Sequence, residues 1–271
     1  LSLNRQEPAV NDSHTMPILV DYRTFEMSPI NFYGSRSWNE MAFVSYTDYA
    51  HGLFVRASMG YDTRYNTLAR TKSVDRRGMA YYSTVENDNH AHGITALVTV
   101  SQRLEWIKGT FNARCLLSQN ASSMYQNGIN TEFNTGSLQT SVSLNSNVWA
   151  WLDLAYRAQY NIHALEFSAM KSRTKLLTQE LELTWMPTNA LNFSLSAEHY
   201  ANYFNDNTRK YTFFADFNCL YKYRKTDFTL HLNNILNQRF YNNATYNNLS
   251  STYNQYGLRG RTLIVGVKMF F

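Results

Sequence analysis

The chain has 271 residues, enough for one large domain or two ordinary ones. It contains no run of about 18 apolar residues, which excludes a transmembrane helix. Its mean hydropathy of −0.43 suits a membrane barrel as well as a soluble protein, because in a barrel wall polar and lipid-facing residues alternate. The net charge of +5 comes from basic residues scattered along the chain without a recognisable binding module, so nucleic acid is not an expected partner.

Twenty Tyr, sixteen Phe and five Trp make 15% of the chain, more than a soluble core needs. Tyr and Trp favour a membrane–water boundary because each joins an apolar body to a polar tip. Only four Pro occur, which suits long unbroken strands. Cys115 and Cys219 fall on apolar strand faces and read as small buried or lipid-facing groups, not as a disulfide or metal pair. The polar opening Leu1–Glu7 is no signal peptide, so the expectation is a mature chain or the C-terminal piece of a longer one.

In chain order, residues 1–16 read as a polar tail or loop end, and a first strand is expected over Ile18–Phe25. From Met41 the alternation becomes regular, with a turn at Asp48–Gly52 and a strand carrying Leu53, Val55, Ala57, Met59 and Tyr61 on one side. Asp62–His92 reads as a long polar loop. Strands are then expected around Val98, Cys115 and Val142, with turns near Ile107 and at Ser146–Asn147. Val148 to Tyr160 alternates most cleanly, followed by strands around Leu183, Leu195 and Phe217, with turns at Pro187–Asn189 and Arg224–Lys225. The chain closes on an apolar row at period two, Leu263, Val265, Val267, Met269 and Phe271.

This amounts to about eleven or twelve strands of roughly ten residues, the length that crosses a bilayer at a tilt. Short connections near residues 50, 107, 147, 188 and 225 alternate with longer ones, as periplasmic turns alternate with outer loops. Trp106, Trp149, Trp151, Trp185, Tyr221 and Tyr223 gather near the short turns, as in an aromatic girdle. The expected fold is all-β, a transmembrane antiparallel up-and-down β-barrel wall over residues 17–271. In hydrocarbon every backbone polar group must be paired within the protein, so such a sheet survives only if it closes.

Two stretches carry a family resemblance. Leu232-Asn233-Asn234-Ile235-Leu236-Asn237-Gln238-Arg239-Phe240-Tyr241 is similar to the Asn-Leu-Phe-Asn/Asp-basic-aromatic-Tyr run after the penultimate strand of TonB-dependent outer-membrane transporters. Tyr256-Gly257-Leu258-Arg259-Gly260-Arg261-Thr262 and the terminal aromatic resemble the last strand of the same superfamily, most closely its Bacteroidota barrels. The resemblance covers about forty residues. It implies a 22-stranded barrel with an N-terminal plug that imports a scarce nutrient (a glycan, peptide, metal chelate or cofactor) with energy from TonB. Because this chain has no plug, no TonB box and about half the strands, the expectation is a C-terminal barrel half. Implied partners are the plug and TonB through residues elsewhere, the barrel-assembly machinery acting on the terminal row, and a surface lipoprotein. The alternatives are a self-contained twelve-stranded barrel with a structural or adhesive role and, more distantly, a soluble all-β binding module.

Arg114, Asp153, Arg157, Glu180, Glu182, Glu198 and Asp216 sit at polar parity and read as lumen- or plug-facing groups. The Asn- and Tyr-rich loop Tyr241–Tyr256 offers aromatic faces and amide donors for a ligand at the barrel mouth, with Tyr241, Asn243, Tyr246, Tyr253 and Tyr256 as candidates. His90 and His92 are weak metal candidates, because a His-x-His on a loop is usually just solvated. No nucleophile–base pair or phosphate loop is visible, so neither an enzyme nor a cofactor is expected. Basic residues such as Arg70, Lys72, Lys171, Arg173, Lys175, Arg209 and Lys210 fall in the expected outer loops, where outer-membrane lipid and anionic lipopolysaccharide are the natural partners.

Overall fold

Period-two alternation gives each segment two unlike faces, and a strand is the backbone that separates them. The computed structural model describes residues 2–6, 14–28, 35–65, 69–85, 90–126, 129–167, 170–203, 209–247 and 250–270, nearly all of them strand. In chain order these are β1 (Ser2–Gln6), β2 (His14–Asp21), β3 (Thr24–Ser28), β4 (Ser35–Asp48), β5 (Leu53–Tyr65), β6 (Ala69–Val74), β7 (Ala80–Val85), β8 (His90–Leu104) and β9 (Gly109–Gln126). The series continues with β10 (Ile129–Trp149), β11 (Leu152–Phe167), β12 (Met170–Thr188), β13 (Leu191–Tyr203), β14 (Arg209–Tyr223), β15 (Thr226–Asn233), β16 (Phe240–Asn247), β17 (Ser250–Gly257) and β18 (Thr262–Met269).

The main path runs β1-β4-β5-β8-β9-β10-β11-β12-β13-β14-β15-β18, antiparallel throughout. It is an up-and-down wall with two open edges, since β1 and β18 pair only with β4 and β15 among the described residues. The hairpin β6–β7 lies against the end of β9, and β3 lies beside β7, both in parallel register. β16 and β17 form a separate hairpin.

One register runs through the wall. Ala57, Val98, Cys115, Thr140, Tyr160, Leu177, Ala201 and Tyr211 are cross-strand partners in series from β5 to β14. The neighbouring row, on the other face, is Arg56, Thr99, Arg114, Ser141, Gln159, Thr178, Tyr200 and Thr212. A slip of one residue anywhere would exchange the two faces, so the patterning itself locks the pairing. Both cysteines carry free thiols on the first, apolar face. Gln179 and His199 interrupt that face and bond to each other at 2.9 Å, while the Gln179 amide also donates to the Tyr156 hydroxyl at 2.8 Å.

The burial pattern is unlike that of a soluble domain. Among the described residues the buried apolar ones are Phe133, Phe167 and Ala201, whereas Val44, Leu263 and Val265 are 66%, 62% and 68% exposed. A single sheet with no second layer leaves its apolar face bare, and apolar surface on that scale marks a face meant for something other than water. No helix among the described residues is long and apolar enough to cross a membrane, which says nothing of a membrane-crossing sheet.

Five tight turns gather at one end of the wall: residues 49–52, 105–108, 150–151, 189–190 and 224–225. At the first, Gly52 holds φ +61°, and Asp48 accepts the Ala50 and His51 amides at 2.9 and 3.3 Å. The His51 ring lies 2.7 Å from the other Asp48 oxygen and holds this carboxyl below its ordinary 3.8. The carboxylate is the bonded form, so the support of the turn is present above the ordinary value and is lost as pH falls through the lowered one. A carbon-detected NMR titration should place Asp48 below 3.8, and His51→Ala should raise it.

The wall departs from the sequence reading in several places. Ser2–Gln6, expected as part of a tail, pair with β4. The single strand expected over Ile18–Phe25 is a β2–β3 hairpin turning at Tyr22–Arg23. The polar stretch Asp62–His92 contains β6, β7 and the ends of β5 and β8. The turn expected at Ser146–Asn147 lies at Ala150–Trp151 instead: a bulge after Ser146 lets β10 run on to Trp149, which stacks on Trp151 at 4.9 Å. Nine of the twelve strands on the main path are also longer than ten residues, β10 reaching 21. Backbone pairing does not stop where apolar alternation stops, so Ser- and Asn-rich ends that read as loop continue the ladder as hairpins. Phe271, the last member of the terminal row, lies outside the described residues; Leu263, Val265, Val267 and Met269 all sit on the apolar face of β18.

Candidate functional site

Register puts all seven charged candidates on the polar face, though in different company. Arg157 and Glu180 are cross-strand partners joined at 3.0 Å, and Glu180 also faces Glu198 on β13. Like charges directly opposite repel, and Arg157 offsets that repulsion at Glu180. Tyr200 donates to Glu198 at 2.8 Å. Glu182 stands across from Ala155 and Ser196. Asp153 is tied to the turn end, accepting from Asn147 at 2.7 Å. Asp216 is a structural acceptor, bound by the Asn234 amide at 2.6 Å.

Arg114 lines a shallow concavity of about 390 Å³ together with Arg56, Arg157, Asn112 and Ser143. Of the seven candidates, the two arginines lie on β9 and β11 and the carboxylates on β11–β14. The polar face is not uniformly polar: Phe43, Leu97 and Leu116 lie in one register row with Ser58.

The stretch Tyr241–Tyr256, expected as a loop, is the β16–β17 hairpin. Its register pairs Tyr241 with Tyr256, Asn243 with Asn254 and Ala244 with Tyr253. The side chains of Asn243, Tyr246 and Tyr253 lie outside the described residues. Tyr241 and Tyr256 stack at 6.4 Å, and Tyr241 also meets Tyr200 at 5.6 Å and Phe214 at 6.5 Å. The hairpin thus leans over the polar face, and Tyr200 and Phe214 complete an aromatic cluster above Glu198. Burial, and next the Tyr256 phenol, raise the Tyr241 pKa, which keeps its hydroxyl a neutral donor. The sequence reading missed Tyr200 and Phe214. Their signal was parity: each is an aromatic ring at a polar position of its strand.

A clamp built on the family-like motif holds this hairpin. Asn234 and Asn237 adopt φ +53° and +56°, a region Asn tolerates better than most residues. The Asn234 side chain accepts from the Gln238 amide at 2.8 Å and donates to the Gln238 and Arg259 carbonyls at 2.8 and 2.9 Å. Asn237 accepts from the Arg261 amide at 3.1 Å. Gly260 passes so close that a Cβ there would lie 2.9 Å from the Arg239 guanidinium carbon. The motif therefore joins three chain segments: the end of β15, the base of the hairpin and the approach to β18.

His90 and His92 begin β8 and are not on a loop. They stack on each other at 5.3 Å, His90 stacks on Tyr65, and the His90 ring bonds to Thr63 at 2.7 Å. Among the described residues no three His, Cys, Asp or Glu side chains converge on a point where a metal could sit.

No protein-family model and no curated protein matches the chain. Solved structures similar to it include two iron-uptake proteins. The FrpB iron transporter from Neisseria meningitidis (F3-3 variant) matches over 90% of this chain and 41% of its own, at 10% identity and a TM-score of 0.49. The ferric yersiniabactin uptake receptor FyuA from Yersinia pestis matches over 90% of this chain and 45% of its own, at 11% identity and a TM-score of 0.45. The chain spans less than half the length of either.

Proposed function

We propose that this chain is the C-terminal barrel portion of an outer-membrane receptor or transporter of the TonB-dependent type. The observation that carries the reading is the bare apolar face. From Trp185 to Lys175 on β12, its alternate residues span about ten positions, roughly 25 Å of height at a barrel's tilt. Along β11–β14 its charged side chains sit only at the end opposite the tight turns. That is the form of a lipid-facing band between an aromatic girdle and a charged rim. The open edges support a partial barrel, because a sheet edge in hydrocarbon must be paired. The family-like motif around Asn234 agrees with the same assignment.

In this reading the polar face is the lumen wall, and the Tyr200–Phe214–Tyr241–Tyr256 cluster lies at the outer mouth, where a nutrient is first bound. The tight turns and the C-terminus are periplasmic, and the outward row of β18 is read by the assembly machinery. The chain's own work is binding and passage, with no covalent step.

The test is the native polypeptide extracted from outer membranes. Release only by detergent and a mass well above 31.5 kDa are the expected results. Release without detergent would overturn the membrane assignment. A mass near 31.5 kDa would favour a self-contained barrel, which the even count of twelve strands on the main path would allow. Protease added to intact cells should cut between Asp62 and His92 or within β16–β17; cleavage at Ala150–Trp151 or Asn189–Ala190 would reverse the orientation.

A further inference from the structure

The rim of the apolar face on β11–β14 carries a specific arrangement of charge. Lys175 on β12, Tyr203 on β13 and Arg209 on β14 are direct cross-strand partners in one register row. The Arg209 guanidinium lies over the Tyr203 ring at 5.5 Å, and Tyr211, one row below, meets the same ring edge-on at 6.5 Å. All three belong to the apolar face, because the next row on that face holds Tyr160, Leu177, Ala201 and Tyr211. Two strand spacings separate the cations, about 10 Å, within joint reach of two long side chains.

Neither Lys175 nor Arg209 has a carboxylate partner among the described residues. The described carboxylate on this face of β11–β14 is Glu166, which Lys171 holds at 2.6 Å. Arg173 stands on the same face between Lys171 and Lys175. Among the described residues this rim carries Lys171, Arg173, Lys175 and Arg209 against Glu166, just where the apolar rows end. The neighbouring Lys210 has the opposite parity and faces the polar side.

We infer that Lys175, Tyr203 and Arg209 form a seat for a phosphorylated glycolipid headgroup of the outer leaflet, whose acyl chains lie along Leu177, Ala201 and Tyr211. The inference rests on the membrane reading above. The chemistry requires a lipid and not free phosphate, because the cations border an apolar face whose natural cover is acyl chain. Charge-assisted bonds from two cations suit a phosphate, and the Tyr203 ring and hydroxyl suit the sugar that bears it.

The experiment uses the full native protein in detergent, probed by native mass spectrometry with bisphosphorylated lipid A, its dephosphorylated form and inorganic phosphate. The wild type should retain the bisphosphorylated lipid. The double variant Lys175→Gln/Arg209→Gln should retain about tenfold less or lower still, and Lys210→Gln should be unchanged. Equal retention by the double variant, equal loss in Lys210→Gln, equal retention of the dephosphorylated lipid, or displacement by inorganic phosphate alone would each overturn the seat. Heat-modifiable migration of each variant reports folding and the membrane reading separately. A protein that folds in detergent but fails to distinguish the lipids rejects only the seat.

Discussion

Leu181→Arg will destabilise the folded protein in a bilayer by about 2–4 kcal/mol. Leu181 lies mid-way up the apolar face, beside its cross-strand partners Tyr156 and Ala197. A guanidinium there must either be desolvated or pull water into the band. Thr184→Arg, three residues away on the polar face between Asp153 and Ser194, should cost under about 1 kcal/mol, because that site is open to water and has a carboxylate at hand. Urea titration of the protein refolded into lipid vesicles separates the two. Equal costs would mean that the two faces meet the same solvent, and the lipid-facing assignment would fail.

The second large effect belongs to Asn234. Asn234→Ala removes three side-chain hydrogen bonds and puts an ordinary residue at φ +53°. At about 1 kcal/mol per bond, and about 1 more for the left-handed backbone, the loss is roughly 3–4 kcal/mol. Asn234→Gly keeps the backbone free and should cost about 1 kcal/mol less. Hydrogen exchange should locate the damage at the Gln238 and Leu258 amides, at the base of the hairpin, and leave β9–β12 protected. If Ala and Gly cost the same, the positive φ carries no weight. If both cost under about 1 kcal/mol, the motif is not a clamp.

These two predictions lie on different levels of the chain's organisation. The faces were legible residue by residue: Leu177, Leu181, Leu183 and Trp185 alternate with Thr178, Glu180, Glu182 and Thr184, and all eight lie on the expected faces. The tight turns were legible too, because Gly52 and the other short breaks interrupt an otherwise continuous pattern. The Ala150–Trp151 turn was misread for a local reason. The bulge after Ser146 shifts parity by one, and the apolar residues Val148 and Ala150 made the shifted register look like a new strand.

The candidate mouth was only half legible. Tyr241 and Tyr256 stood out by composition, but Tyr200 and Phe214 belong to other strands and meet Tyr241 only because the hairpin leans inward. The sequence resemblance around Asn234 located a motif without disclosing its work, which is visible only once Asp216, Arg259 and Arg261 are seen to bond to it.

The sequence by itself determined that this protein is a two-faced strand wall, since period two is a local property of the backbone and needs no partner to be read. Tertiary structure alone decided the common register, the length of the hairpins beyond the apolar band, and the placing of Lys175 and Arg209 on either side of Tyr203. Those depend on which residue of one strand lies opposite which residue of the next, and that is set by the pairing of whole segments.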